Sequence, residues 1–167
     1  MLFRSTVLAL VEAFAAAGRH RRTIDFVAYG AEEYGRHTGN LGAVAYVRAN
    51  TSVVRQTLAL VEVDCVGTVA SPLRVSFFAW PASHRTEKRA EILGLLRTLP
   101  DCVVDDLSEN PSATTAFHLP GVPSILFLDE YDRLPIHTAQ DTIDLMRPEA
   151  FARTVESVIA TVQHLAS

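Results

Sequence analysis

The sequence predicts an α/β layered domain with a mostly parallel or mixed sheet. Short runs rich in β-branched and aromatic residues alternate with stretches of helical apolar spacing. Hydrophobic residues make up 49% of the 167 residues and charged residues 20%, the composition of a chain that folds around a core. The length fits one domain, and no internal repeat or low-complexity linker divides it.

Residues 5–17 carry Val7, Leu8, Leu10, Val11 and Phe14 among many alanines, a helix pattern that Gly18 can stop. Thr23 to Tyr29 reads as a buried strand that ends in Gly30-Ala31-Glu32-Glu33-Tyr34-Gly35. A glycine-spaced loop leads to a helix over 41–49. Thr57 to Val63 is a second strand, closed by Asp64-Cys65-Val66-Gly67. Leu73 to Trp80 is a third, with Phe77, Phe78 and Trp80 as core, and Pro81 stops it. Ser83 can cap a helix over 84–98 with Ile92, Leu95, Leu96 and Leu99 on its apolar face. Cys102 to Val104 is a short strand, and Asp105 to Pro111 reads as loop. Ser112 to Leu119 reads as a short helix before Pro120-Gly121. Val122 to Leu128 is another buried strand, and Asp129 to Asp141 is irregular. Pro148 opens the last helix, on which Phe151, Val155, Val158, Val162 and Leu165 recur at helical spacing.

Charge and composition exclude several classes. The net charge is −4 and the basic residues are scattered, so no nucleic-acid footprint is present. The cluster Arg19-His20-Arg21-Arg22 suits a helix C-terminus, where cations favour the dipole. No apolar run reaches the roughly 20 residues that a membrane span needs. The N-terminus has no basic region ahead of a long apolar core, and Glu12 interrupts the run, so no signal peptide is read. Cys65 and Cys102 are too few for a disulfide scaffold or a zinc-thiolate centre and read as buried thiols.

The chemistry gathers at strand ends, where ligands collect in open α/β sheets. Glu32 and Glu33 stand where one strand stops, Asp64 where the next stops, and His137 in a loop after a further strand. Adjacent side chains at a strand end point different ways. One of the two glutamates can therefore ligate a metal while the other faces a water or substrate, as metal-assisted hydrolysis requires.

Four motifs in order carry a resemblance. Gly30-Ala31-Glu32-Glu33-Tyr34-Gly35, Asp64-Cys65-Val66-Gly67, Phe117-His118-Leu119-Pro120-Gly121-Val122-Pro123 and Ile136-His137-Thr138-Ala139-Gln140-Asp141-Thr142 resemble the ordered signatures of the M28 zinc aminopeptidases. The resemblance implies a three-layer α/β/α sandwich with a mixed, mostly parallel sheet. It also implies a pair of zinc ions that hydrolyse a residue from the N-terminus of a peptide or protein. It casts Glu32 as the general base, Glu33 and His137 as ligands of one zinc, and Asp64 as a ligand of the other. Gly42 and Tyr46 fall at positions that begin and pack the helix after the Glu-Glu turn. Asp141 and Asp144 fall where they would cap or orient the loop of His137. Family members are often secreted; the residues of this chain assign no compartment.

The family pattern also includes a histidine from an upstream His-x-Asp segment and a bridging aspartate just before the first helix. Leu2 and Phe3 stand where that Asp-Asn pair would fall. The expectation is a single M28-like domain over 1–167 that lacks the family's N-terminal portion, with one weakly held zinc or none. An exposed sheet edge would follow, offering a surface for self-association. The alternative expectation is a catalytically inactive remnant that serves as a binding or structural domain. Two smaller departures bear on substrate contacts: Ser112-Ala113-Thr114 replaces a Ser-Asp-His, and Ile136 replaces an aromatic residue before the histidine.

Overall fold

The computed structural model describes residues 2–32, 40–68, 72–78, 87–107, 121–129 and 135–167. In chain order the elements are α1 (Leu2–Ala17), α2 (Leu41–Ala49), α3 (Thr51–Gln56), β1 (Leu60–Val63), β2 (Leu73–Phe78), α4 (Glu87–Leu96), β3 (Cys102–Leu107), β4 (Ser124–Leu128), a 3-10 turn at Ile143–Leu145, and α5 (Pro148–Ala166). The four strands form one sheet in the order β1-β4-β2-β3. β1 pairs with β4 and β2 with β3 in parallel, while β2 and β4 run antiparallel. The sheet is therefore mixed and mostly parallel, with helices on both faces, as the sequence predicts.

The pleat decides which residues meet which helices. Leu73, Val75 and Phe77 of β2 and Ile125 and Phe127 of β4 turn to one face. There they join Leu10 and Phe14 of α1, Ile92, Leu93 and Leu96 of α4, and Val158 of α5 in the main core. The opposite face is thinner, with Ala43 of α2, Val54 of α3 and Val122 packed with Tyr29, Tyr46 and Leu60. Phe77 and Phe78 are core residues, as read from the sequence; Trp80 lies outside the described residues.

Several boundaries differ from the sequence reading. Thr51–Gln56 adds a helix, because the Asn50 backbone N–H and side-chain amide both donate to the Tyr46 carbonyl and the chain restarts at once as α3. Thr57 then closes α3 by donating to Val54, which delays β1 to Leu60. β3 runs on through Asp105 and Asp106. It is an edge strand, and those carboxylates pair with Arg74 at 2.5 Å and with Arg89, so the polar residues do not break it. The helix read over 84–98 is α4, described from Glu87 to Leu96, with Leu99 buried just beyond it. The helix read over 112–119 lies outside the described residues.

Thr23 to Tyr29 is the main departure: it forms no ladder with any described strand. Both of its ends are nonetheless fixed. The N–H groups of Arg21 and Arg22 donate to the Ala166 carbonyl, and the Arg22 guanidinium donates to the carbonyls of Leu165 at 2.8 Å and Ser167 at 2.6 Å. The basic cluster thus does serve a helix C-terminus, but that of α5. α1 ends at Gly18 with φ 86°, the left-handed stop that glycine allows. His20, beside this cluster's arginines, is half-buried, edge-on to Phe14 with ring centroids 5.3 Å apart.

The phenyl ring of Phe127, fully buried at the centre of the main core, links sheet and helices. Phe127→Ala is expected to cost about 3–5 kcal/mol, as truncation of a buried aromatic does, read as a lower midpoint in urea denaturation with an unchanged slope.

Candidate active site

Each candidate residue sits where a structural element ends. Gly30-Ala31-Glu32 leaves the extended segment and is tied to the start of α2 by three backbone bonds. Asn40 donates to Glu32 at 2.8 Å, Leu41 to Ala31 at 3.3 Å, and Gly42 to Gly30 at 3.1 Å. A Cβ at Gly42 would overlap the Gly30 carbonyl oxygen, so only glycine permits this approach. Tyr46, one turn along α2, packs edge-on against Tyr29 with centroids 5.8 Å apart. Burial, with Tyr46 and Glu62 alongside, pushes the Tyr29 phenol well above its ordinary range.

Asp64 continues β1 by one residue: its N–H donates to Phe127 at 3.0 Å. The next bonds run between the same two chain segments. Asp129 donates its backbone N–H to the Cys65 carbonyl, and its fully buried carboxylate accepts from the Thr68 N–H at 2.6 Å and the Thr68 hydroxyl at 2.8 Å. Asp129 therefore shapes the turn that follows Asp64. Sequence reasoning missed this role; the available signal was an acidic residue ending an apolar strand.

His137 stands in a tight turn held by Thr138, whose hydroxyl donates to Pro135 at 2.5 Å and accepts from the Gln140 N–H at 3.2 Å. Asp141 donates its backbone N–H to the Thr138 carbonyl and closes the same turn.

Glu32, Asp64, His137 and Asp141 all line one cavity of about 1230 Å³, together with Cys65. The carboxylates are close enough to act on the thiol. Cys65 is pushed up to about 12, first by burial, then by Asp64, Asp141 and Glu32. Backbone strain collects here as well. Ala31, Cys65 and His137 have φ of 53°, 45° and 60°, in the left-handed region that non-glycine residues adopt at a cost of about 1–3 kcal/mol each. Cys65 and Cys102 are both unpaired and half-buried.

Glu33 lies outside the described residues, as do His37, His84 and His118. The donor types around the cavity, carboxylate and imidazole, suit zinc. Among the described residues, no three His, Cys, Asp or Glu side chains converge as a metal site. The described residues alone therefore do not make up a complete zinc site.

The model of peptidase family M28 matches residues 4–162. The chain belongs to peptidase family M28. No curated protein sequence matches it. Among solved structures, this M28 chain is similar to the LapA aminopeptidase of Legionella pneumophila, at 20% identity and a TM-score of 0.73 over 98% of this chain and 45% of that one. It is similar to BSAP, a zinc aminopeptidase from Bacillus subtilis, at 22% identity and a TM-score of 0.75 over 98% of this chain and 40% of that one. An aminopeptidase from Aneurinibacillus sp. strain AM-1 matches at 23% identity and a TM-score of 0.60, over 84% of this chain and 32% of that one. These likenesses establish the M28 fold, and the chain spans less than half the length of the solved relatives. Among the described residues, no helix is long and apolar enough to cross a membrane.

Two outcomes are expected of this M28 site. Gly42→Ala forces α2 away from Gly30 and is expected to cost about 1–3 kcal/mol, as overpacking does, read from the denaturation midpoint. In a Cys102→Ser background, Cys65 at pH 8 is expected to alkylate roughly a thousandfold more slowly in the folded than in the unfolded chain, since only the thiolate reacts. Because the folded chain holds the Cys65 proton longer, this group's contribution to stability is complete below about pH 9. It is lost as pH rises toward 12.

Proposed function

We propose that this chain carries the catalytic core of a zinc-dependent aminopeptidase, with Glu32 as general base and Glu33, Asp64 and His137 as the metal-holding residues. The observation that carries the reading is the shared cavity: Glu32, Asp64 and His137 come from three separate turns and line the same space. Family membership and the aminopeptidase neighbours support peptide hydrolysis.

The chain's own residues divide the work. Glu32, exposed at the cavity, takes a proton from the attacking water and passes it to the departing amine. Asp141, which is not among the metal-holding residues, adds negative charge to the cavity and favours the cationic N-terminus of a peptide over its carboxylate end. The Asp129 bonds to Thr68 hold the turn after Asp64 in one geometry, as positioning residues do. Zinc, when bound, would polarise the scissile carbonyl as a Lewis acid.

The test combines zinc content after dialysis with hydrolysis of leucine p-nitroanilide. The parent chain is expected to hold at most one zinc, weakly, after dialysis and to turn over when zinc is supplied. Glu32→Gln is expected to lower kcat by about 10²–10⁴, the range of a general base, with zinc content unchanged. An unchanged rate in Glu32→Gln overturns the base assignment. A zinc-loaded parent chain with no turnover overturns the enzyme reading in favour of a non-catalytic domain.

A further inference from the structure

The loop that carries His137 leaves the sheet at Asp129 and reaches α5 at Arg147. Both of its ends dock on one short turn, residues 65–68, which directly follows Asp64. At the entry, the Asp129 N–H donates to the Cys65 carbonyl at 3.1 Å, and the buried Asp129 carboxylate accepts from the Thr68 N–H and hydroxyl. At the exit, the Arg147 N–H donates to the Gly67 carbonyl at 2.7 Å.

The exit also rests on packing. Gly67 has φ 90°, which glycine adopts without steric cost. A Cβ there would stand 2.6 Å from Met146 Cε and 3.3 Å from Phe151 Cβ, so these two side chains close over the bare Cα. Arg147 ties the exit to its surroundings. Its guanidinium donates to the carbonyls of Asp144 and Met146, both at 3.0 Å, and its own carbonyl accepts from the Phe151 N–H at the start of α5. Between His137 and Arg147 the chain is a succession of tight turns: Asp141 donates its N–H to Thr138, Leu145 to Thr142 and Met146 to Ile143. A segment bonded this way transmits the placement of one end to the other.

We propose that residues 65–68 form a two-point clamp that sets His137 relative to Asp64, and that Gly67 and Met146 are positioning residues of the site. The proposal rests on the reading of Asp64 and His137 as members of one reaction site. The two points differ in strength. The entry has its backbone bond and two bonds to a carboxylate, the stronger kind. The exit has one neutral backbone bond, backed by the half-buried Met146 side chain. Truncating Met146 therefore releases the loop at the exit and leaves the entry closed.

The test is Met146→Ala in the full chain, read first by amide hydrogen exchange without metal or substrate. Exchange at Arg147, and at Asp141 in the turn beside His137, is expected to rise at least about tenfold, while Asp129 changes by less than about twofold. Met146→Leu, which refills the space over Gly67, is expected to restore the parent pattern. Unchanged exchange at Asp141 means that the His137 turn holds itself, and overturns the proposal. An equal rise at all three amides is general destabilisation and also overturns it. If Met146→Ala does not fold, Met146→Val is judged by the same pattern. The second readout is hydrolysis of leucine p-nitroanilide with zinc supplied. In Met146→Ala, kcat is expected to fall about tenfold with KM within about twofold, and Met146→Leu is expected to recover it. An unchanged kcat overturns the positioning role. A parent chain that does not turn over refutes the enzyme reading instead, and the exchange pattern then decides the clamp by itself.

Discussion

The parallel register between β1 and β4 is the constraint on which the rest of the site depends. It starts at Leu60 against Ser124 and continues past the strands, through Asp64 to Phe127 and Asp129 to Cys65. These bonds leave Asp64 no freedom to slide along the sheet. A shift of one residue would reverse which side chains face the core and would carry Asp64 away from the cavity. The buried Asp129 carboxylate adds a second restraint. It is costly to bury, and the two donors of Thr68 offset that cost.

The other side of the cavity is built differently. The turn of Glu32 has no ladder and depends on α2, where the bare Cα of Gly42 lets the helix start meet the Gly30 carbonyl. One carboxylate is thus fixed by a sheet and the other by a helix start, and His137 by a turn stapled through Thr138. Left-handed backbone at Ala31, Cys65 and His137 marks the place where these three supports meet. Strain of this kind persists only where surrounding bonds determine it fully.

The sheet and its layering were legible because periodicity reports burial directly. β2 and β4 are apolar through most of their length, and both are central strands. What was not legible turned on partners distant in sequence. Asp105 and Asp106 look like loop residues until Arg74 and Arg89 are seen beside them. Thr23–Tyr29 has strand composition, yet a strand exists only where a neighbour bonds to it. Asp129 carried a single hint, its place at the end of an apolar run, and its burial depends on Thr68, 61 positions earlier. On α5 the apolar stripe was read correctly as a face. The residues buried deepest there nonetheless include Thr154, Ser157 and Thr161, of which Thr154 and Thr161 donate back to carbonyls of their own helix.

Arg22 grips the carbonyls of Leu165 and Ser167 across 143 and 145 positions of sequence. Contacts of such separation are the slowest to form in a folding chain. While the ribosome is still delivering α5, the segment leading to Glu32 has no anchor at its near end. The acidic turn therefore acquires its final placement only after α5 has been made, and any fragment that stops short of Leu165 would lack the anchor altogether.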